Sequence, residues 1–118
     1  MGASEYPSIR ETITASIASD AALSGAVELY GTTLVGIIMP AAWATANLSF
    51  QASHDASDYH DMYSAAGAEY TVAASAGQYI VIDPNDFAGV GNLKIRSGVA
   101  ATTVAQATSS ITLVVKPV

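Results

Sequence analysis

His54, Asp55, Asp58, His60 and Asp61 crowd into one short stretch and form the densest group of potential metal ligands in the sequence. Imidazole nitrogens together with carboxylate oxygens are a donor set that suits zinc or manganese. A calcium loop would need oxygens at alternating positions, a turn glycine and a closing glutamate. Asp55-Ala56-Ser57-Asp58-Tyr59-His60-Asp61 has neither the glycine nor the glutamate. The same residues suit a hydrated turn between two strands, where short Asp and Ser side chains bond to nearby backbone. The turn is the reading adopted, and no residue is assigned as a metal ligand.

Nucleophilic chemistry finds no better footing. Ser, His and Asp are plentiful, but no Gly-x-Ser-x-Gly elbow is present to expose a serine on a strained turn. Gly89-Val90-Gly91-Asn92 lacks the further glycine and the following helix that would hold backbone amides against a phosphate, so it reads as a turn. The expectation is therefore a protein that is not an enzyme, with no catalytic residue and no cofactor. Trp43, Tyr59 and Tyr63 could stack on pyranose rings as a sugar-binding platform, although tyrosine and tryptophan gather at protein interfaces for the same amphipathic reason. Asn47-Leu48-Ser49 matches a glycosylation sequon, but the asparagine opens a strand and no secretory signal is legible at the N-terminus.

These residues need a scaffold, and period-two alternation says that it is made of strands. Leu48, Phe50 and Ala52 alternate with Asn47, Ser49, Gln51 and Ser53, the pattern of a half-buried antiparallel strand. Alternation returns at Leu93–Arg96 and Ile111–Lys116. Leu34–Met39 and Tyr79–Ile82 are more uniformly apolar and read as central strands covered on both faces. Ile9–Ile17, Ala26–Tyr30, Tyr59–Tyr63 and Glu69–Ala73 bring the expected count to eight or nine strands, separated by Gly, Pro, Asn and Ser clusters. Pro40–Ala44 reads as a short turn of helix, and Asp83-Pro84-Asn85-Asp86-Phe87 as an Asp-capped single turn stopped by Gly89. The expected fold class is all-β: an antiparallel, jelly-roll-like β-sandwich spanning residues 23–118, preceded by an N-terminal arm or edge strand at residues 1–22.

Composition narrows the function classes further. Only 12% of the 118 residues are charged, about half the usual share, and 51% are hydrophobic. A net charge of −6, with Arg10, Lys94, Arg96 and Lys116 as the only bases, leaves no patch able to neutralise a run of phosphates or an anionic bilayer. Neither nucleic acid nor membrane is an expected partner. The uncharged window Leu29–His54 is broken by Pro40 and diluted by Thr32, Thr33, Thr45, Asn47 and Gln51, so it does not read as a transmembrane helix. With no cysteine there is no disulfide framework and no thiolate metal site. Ser97–Val115 is a second charge-free stretch, while acids gather at Asp55–Asp61 and Asp83–Asp86. Two uncharged stretches as core or contact surface, with acidic turns as the wet face, point to an assembly part.

Leu34–Trp43, Leu48–Ser53, Tyr79–Pro84, Phe87-Ala88-Gly89 and Leu93–Gly98 carry a family resemblance. Across Leu34–Val118 the chain resembles a group of small virion proteins of tailed bacteriophages, of the head decoration or cement type. The first thirty residues take no clear part, and the Asp-Gly turn usual after the Gln-Ala-Ser strand is replaced by His54-Asp55-Ala56-Ser57. The resemblance implies a structural protein of the virion that binds the outside of the capsid and stabilises it by bridging capsid subunits. Its partners would then be the major capsid protein and copies of itself, as a dimer or trimer, with assembly in the host cytoplasm. The arm could add a strand to a neighbour, so that main-chain hydrogen bonds supply affinity without charge. The alternative is a tail or fibre-associated β-sandwich module whose Trp43 and Tyr-bearing loops grip a host surface glycan.

Overall fold

Alternating side chains give ten strands in the computed structural model, which describes residues 11–118. The beginning of the expected arm, residues 1–10, lies outside the described residues. The strands are β1 (Glu11–Ile17), β2 (Val27–Glu28), β3 (Thr32–Ile38), β4 (Leu48–Ser53), β5 (His60–Asp61), β6 (Thr71–Val72), β7 (Tyr79–Val81), β8 (Asn92–Val99), β9 (Thr102–Thr103) and β10 (Ser109–Pro117). One sheet has the order β1-β10-β3-β7, and the other has β2-β8-β4-β5, with β6 on β4 and β9 on β8. Every strand pair is antiparallel.

The pairs β1 with β10, β2 with β8, β3 with β7 and β4 with β5 are nested, as in one long hairpin rolled up with its tip at the β4–β5 turn. This is jelly-roll wrapping, and the fold is an all-β sandwich. The His54–Asp58 segment is therefore the tip of the nested hairpin. β5 and β6 both lie antiparallel along the same strand, β4, so they are one strand interrupted by an excursion at Met62–Tyr70.

The core lies between the sheets. Ala15, Ile17, Leu34, Ile37, Ile111, Leu113 and Val115 from the first sheet meet Leu48, Phe50, Leu93 and Ile95 from the second, all of them almost inaccessible. Phe50, Tyr70 and Phe87 add an aromatic cluster, with ring centroids 5.4–5.8 Å apart and steeply tilted rings. Glu11–Ile17 is the edge strand of the first sheet and contributes Ala15 and Ile17 to this shared core. The chain after it continues into the second sheet, where Ser24 N–H donates to the Ile95 carbonyl and Ser97 N–H to that of Ala22.

Four local expectations change. Tyr79–Ile82 is not a central strand: β7 is an edge, with Tyr79 58% and Val81 83% exposed, and only Ile80 and Ile82 turn inward. Apolar residues on both faces mark a central strand only if both faces are covered, and nothing among the described residues covers the outer side here. Pro40–Ala44 forms no helical turn, because the Ala44 N–H and C=O both bond to the Gln106 side-chain amide and the Trp43 indole donates to the Ala46 carbonyl. β4 is not half-buried, since Ser49 and Ser53 are as enclosed as Leu48 and Phe50. β9, a Thr-Thr pair with no apolar alternation, raises the strand count to ten. The Asp83 cap does form, its carboxylate accepting from Asn85 N–H at 2.9 Å ahead of a 3-10 turn at Pro84–Phe87.

Candidate functional surfaces

The cluster at the hairpin tip is committed to holding the turn. Asp55 Oδ1 accepts from Ser57 N–H, Asp58 N–H and Ser53 Oγ–H, each at 2.9 Å, while Ser53 Oγ accepts from Ala56 N–H at 3.0 Å. This inward bonding lets Ala56 adopt its left-handed φ of 64°. The two backbone donors lead in holding the Asp55 carboxyl down to about 2, with Ser53 helping. Asp58 and His60 are exposed, and the His54 carbonyl accepts from Tyr30 Oη–H at 3.0 Å. Among the described residues no three His, Asp or Glu side chains converge into a set able to hold a metal ion.

Asp61 departs from its neighbours. Its Oδ1 lies 2.8 Å from Arg96 Nη1, and Glu69 Oε2 lies 2.9 Å from Arg96 Nη2. Arg96 Nε–H donates to Ser49 Oγ at 2.8 Å, and Ser49 donates onward to the Gly98 carbonyl. Arg96 is 5% exposed, yet every edge of its guanidinium is engaged. The hydrogen bond and charge of Arg96 hold the Asp61 carboxyl below its usual range against the opposing effect of burial. Asp61 and Glu69 flank the excursion at Met62–Tyr70, so Arg96 clamps the base of an exposed loop whose tip is Ser64-Ala65-Ala66-Gly67-Ala68. Tyr70 steadies the same base: its hydroxyl donates to Asp86 Oδ2 at 2.9 Å, and burial followed by that carboxylate pushes its ionisation far up.

This clamp was not legible among the candidate residues. Arg96 alternates with Leu93 and Ile95 as a solvent-facing residue would, and its partners lie 35 and 27 positions away. The one available signal is an unmatched arginine in a chain almost without bases.

The aromatic candidates disperse. Trp43 packs against the core beside Ala46, near the Leu48 end of β4. Tyr59 sits near the Ser53 end, its ring 4.3 Å from Lys94 Nζ. These two do not form one platform, and Tyr63 stands on the clamped excursion, 58% exposed. The Gly89–Gly91 stretch is the turn expected: Val90 N–H donates to the Phe87 carbonyl, and the Gly91 carbonyl accepts from Leu29 N–H. Two small clefts of about 170 and 220 Å³ adjoin it, with His54 and Val90 lining both. Each is smaller than the usual range for a small-molecule site. No helix among the described residues is long and apolar enough to cross a membrane.

The outer face of the first sheet draws in part on the two charge-free stretches. With Ile13, Ala15, Leu113, Ile37 and Ile80 turned inward, the opposite face is built in rows across the strands. One row is Thr12, Val114, Gly36 and Val81; the next is Thr14, Thr112, Ile38 and Tyr79. Ser16 and Ser110 follow, and no charged side chain stands among these ten positions. At ordinary strand spacing the face covers ~300 Å². Tyr79 lies across Gly36, where an added Cβ would come within 2.9 Å of its ring.

Compared with protein-family models, with curated proteins and with solved structures, the chain matches none.

Proposed function

We propose that this chain is a structural protein of a tailed-phage virion that binds the outside of the capsid and stabilises it by bridging capsid subunits. The observation that carries the reading is the outer face of the β1-β10-β3-β7 sheet, whose one charge among the described strand residues is Lys116 at its end. A solvated face on an acidic protein would ordinarily carry lysines and glutamates, and this one presents threonine, valine, isoleucine and tyrosine. At ~300 Å² it is too small for a stable pairwise complex, which takes about 800 Å² from each partner. Small contacts suffice when many copies bind a repeating lattice, because each bridge adds to the stability of the whole shell. Contacts of this kind suit a rigid sheet and need no active site.

The test is to mix the purified chain with undecorated heads and with tails, then image both. Binding to heads is expected, with loss on Val81→Glu or Thr112→Glu, both on the outer face. Absence from heads together with binding to tails or to a glycan would sink the reading.

A further inference from the structure

The outer edge of β1 has no strand paired to it among the described residues, and hydrogen-bond direction along it follows from bonds elsewhere. Met39 N–H donates to the Gln78 carbonyl and Ile82 N–H to that of Val35, so odd-numbered residues of β3 turn toward β7. Antiparallel strands alternate hydrogen-bonded with non-hydrogen-bonded pairs. Gly36 and Ile38 therefore turn toward β10, Val114 and Thr112 toward β3, and Leu113 and Ile111 toward β1. Ile13 and Ala15 complete that ladder, which leaves the N–H and C=O of Thr12 and Thr14 pointing away from the sheet. A separate bond agrees: Gly25 N–H reaches the Ser16 carbonyl, on the same side as Thr14.

No described segment pairs with this edge from Glu11 to Ala15. Sheet edges are ordinarily blunted by lysine, proline, a bulge or brevity. β1 has seven residues, no Lys, no Pro and an unbroken register with β10. β7, the opposite edge, is three residues long.

We infer that β1 pairs antiparallel with β1 of a second copy of this chain, about a two-fold axis at Ile13. Gly25 closes the edge beside Ser16, and this register uses the two threonines left open. Thr12 then faces Thr14 of the second copy and Thr14 faces its Thr12, giving four main-chain hydrogen bonds and two Thr–Thr side-chain pairs. Ile13, half-buried at the margin of the core, meets Ile13 of the second copy as the close, non-hydrogen-bonded pair. Glu11 faces Ala15, so the seam sets no like charges opposite each other, and it joins the two four-stranded sheets into one. The pairing stands without the virion reading. Combined with it, the bare faces merge into a single one of ~600 Å², nearer the area a stable contact needs.

Sedimentation of the full chain should give about twice 12.0 kDa. Thr14→Pro should return it to a monomer with unchanged circular dichroism, because the Thr14 N–H takes no part in the bonds to β10. Should that variant unfold, Ile13→Cys provides a second reading, since the protein has no native cysteine to compete. Cα atoms of a non-hydrogen-bonded pair, ~4.5 Å apart, are within disulfide range. Oxidised Ile13→Cys should run as a covalent dimer, and Ser16→Cys, far from the axis, should not. A wild-type chain that stays monomeric from micromolar to millimolar concentration overturns the inference. So does a dimer that survives a folded Thr14→Pro, or equal cross-linking at positions 13 and 16.

Discussion

The outer face of one sheet carries Arg96, Lys94, Gln51 and Asn92, and the outer face of the other carries one charge among the described strand residues, Lys116 at its end. On the first of these the chain folds back over its own polar groups. Arg96 is closed in by Asp61 and Glu69, and Asn92 by the Tyr30 hydroxyl that its amide donates to at 2.7 Å. On the second, of the ten row positions only Val114 and Gly36 are covered, Gly36 beneath the Tyr79 ring, while Val81 and Tyr79 stand open. A face that polar bonding seals is finished within the molecule, whereas a bare apolar face leaves the hydrophobic term to be gained on contact with another molecule. One sheet holds the loops in place; the other keeps apolar side chains open to solvent.

The comparison breaks most visibly at Arg96. Arg96→Ala strands Asp61, Glu69 and Ser49 around a vacated site, and removing one partner of an enclosed ion cluster costs about 3 kcal/mol, because Asp61 at the margin can regain water. Thr112→Ala, at the centre of the bare face, should change stability by less than about 0.5 kcal/mol. Urea denaturation of both variants, compared at constant m, checks the contrast. Equal losses would mean that the clamp is no more integrated than the bare face.

The roll itself was largely legible before the clamp was. Alternation at Leu48–Ser53, Leu93–Arg96 and Ile111–Lys116 locates β4, β8 and β10 because each turns an apolar row onto one core. The Asp83 cap is equally local, as its bond spans two residues. Arg96 was not legible, because alternation says which face a residue occupies and nothing about what later covers that face. β7 failed for the converse reason: Tyr79-Ile80-Val81-Ile82 is apolar on both faces, and only the strand order makes it an edge. The Asp55–Asp61 group was legible as a turn, but Asp61 alone of that group reaches across to a distant arginine.

Acid should sharpen the same contrast. Asp61 and Asp55 both have folded ionisation below the ordinary carboxylate value of 3.8, so the charged forms favour folding. Their contribution is present above that value and is lost as pH falls through the depressed one, down to about 2 for Asp55. Denaturation midpoints of the wild type should therefore fall below about pH 4. In Arg96→Met the share due to Asp61 disappears, while the share due to Asp55, held by backbone donors, persists. An acid limb unchanged by Arg96→Met would detach Asp61 from the clamp.

The most discriminating contrast comes from adding one methyl group to each sheet. At Gly98, whose φ is +93°, a Cβ would meet backbone: the Thr102 carbonyl oxygen at 2.6 Å and the Val104 nitrogen at 2.9 Å. Neither can withdraw without opening the β8–β9 connection, so Gly98→Ala should cost about 2 kcal/mol in any background. At Gly36 the nearest atoms belong to the ring of Tyr79, on an exposed edge where the side chain can swing away. Gly36→Ala should therefore cost less than about 1 kcal/mol, and in a Tyr79→Ala background it should turn stabilising by about 0.5 kcal/mol, because alanine loses less backbone freedom than glycine on entering a strand. The sign change, read by a double-mutant cycle, distinguishes an open face that can be remodelled by its own side chains from one closed by backbone. If Gly36→Ala were as costly as Gly98→Ala with Tyr79 removed, the outer surface of β3 would be as tightly enclosed as the β8–β9 connection, and the bare face would lose its claim to be a free contact surface.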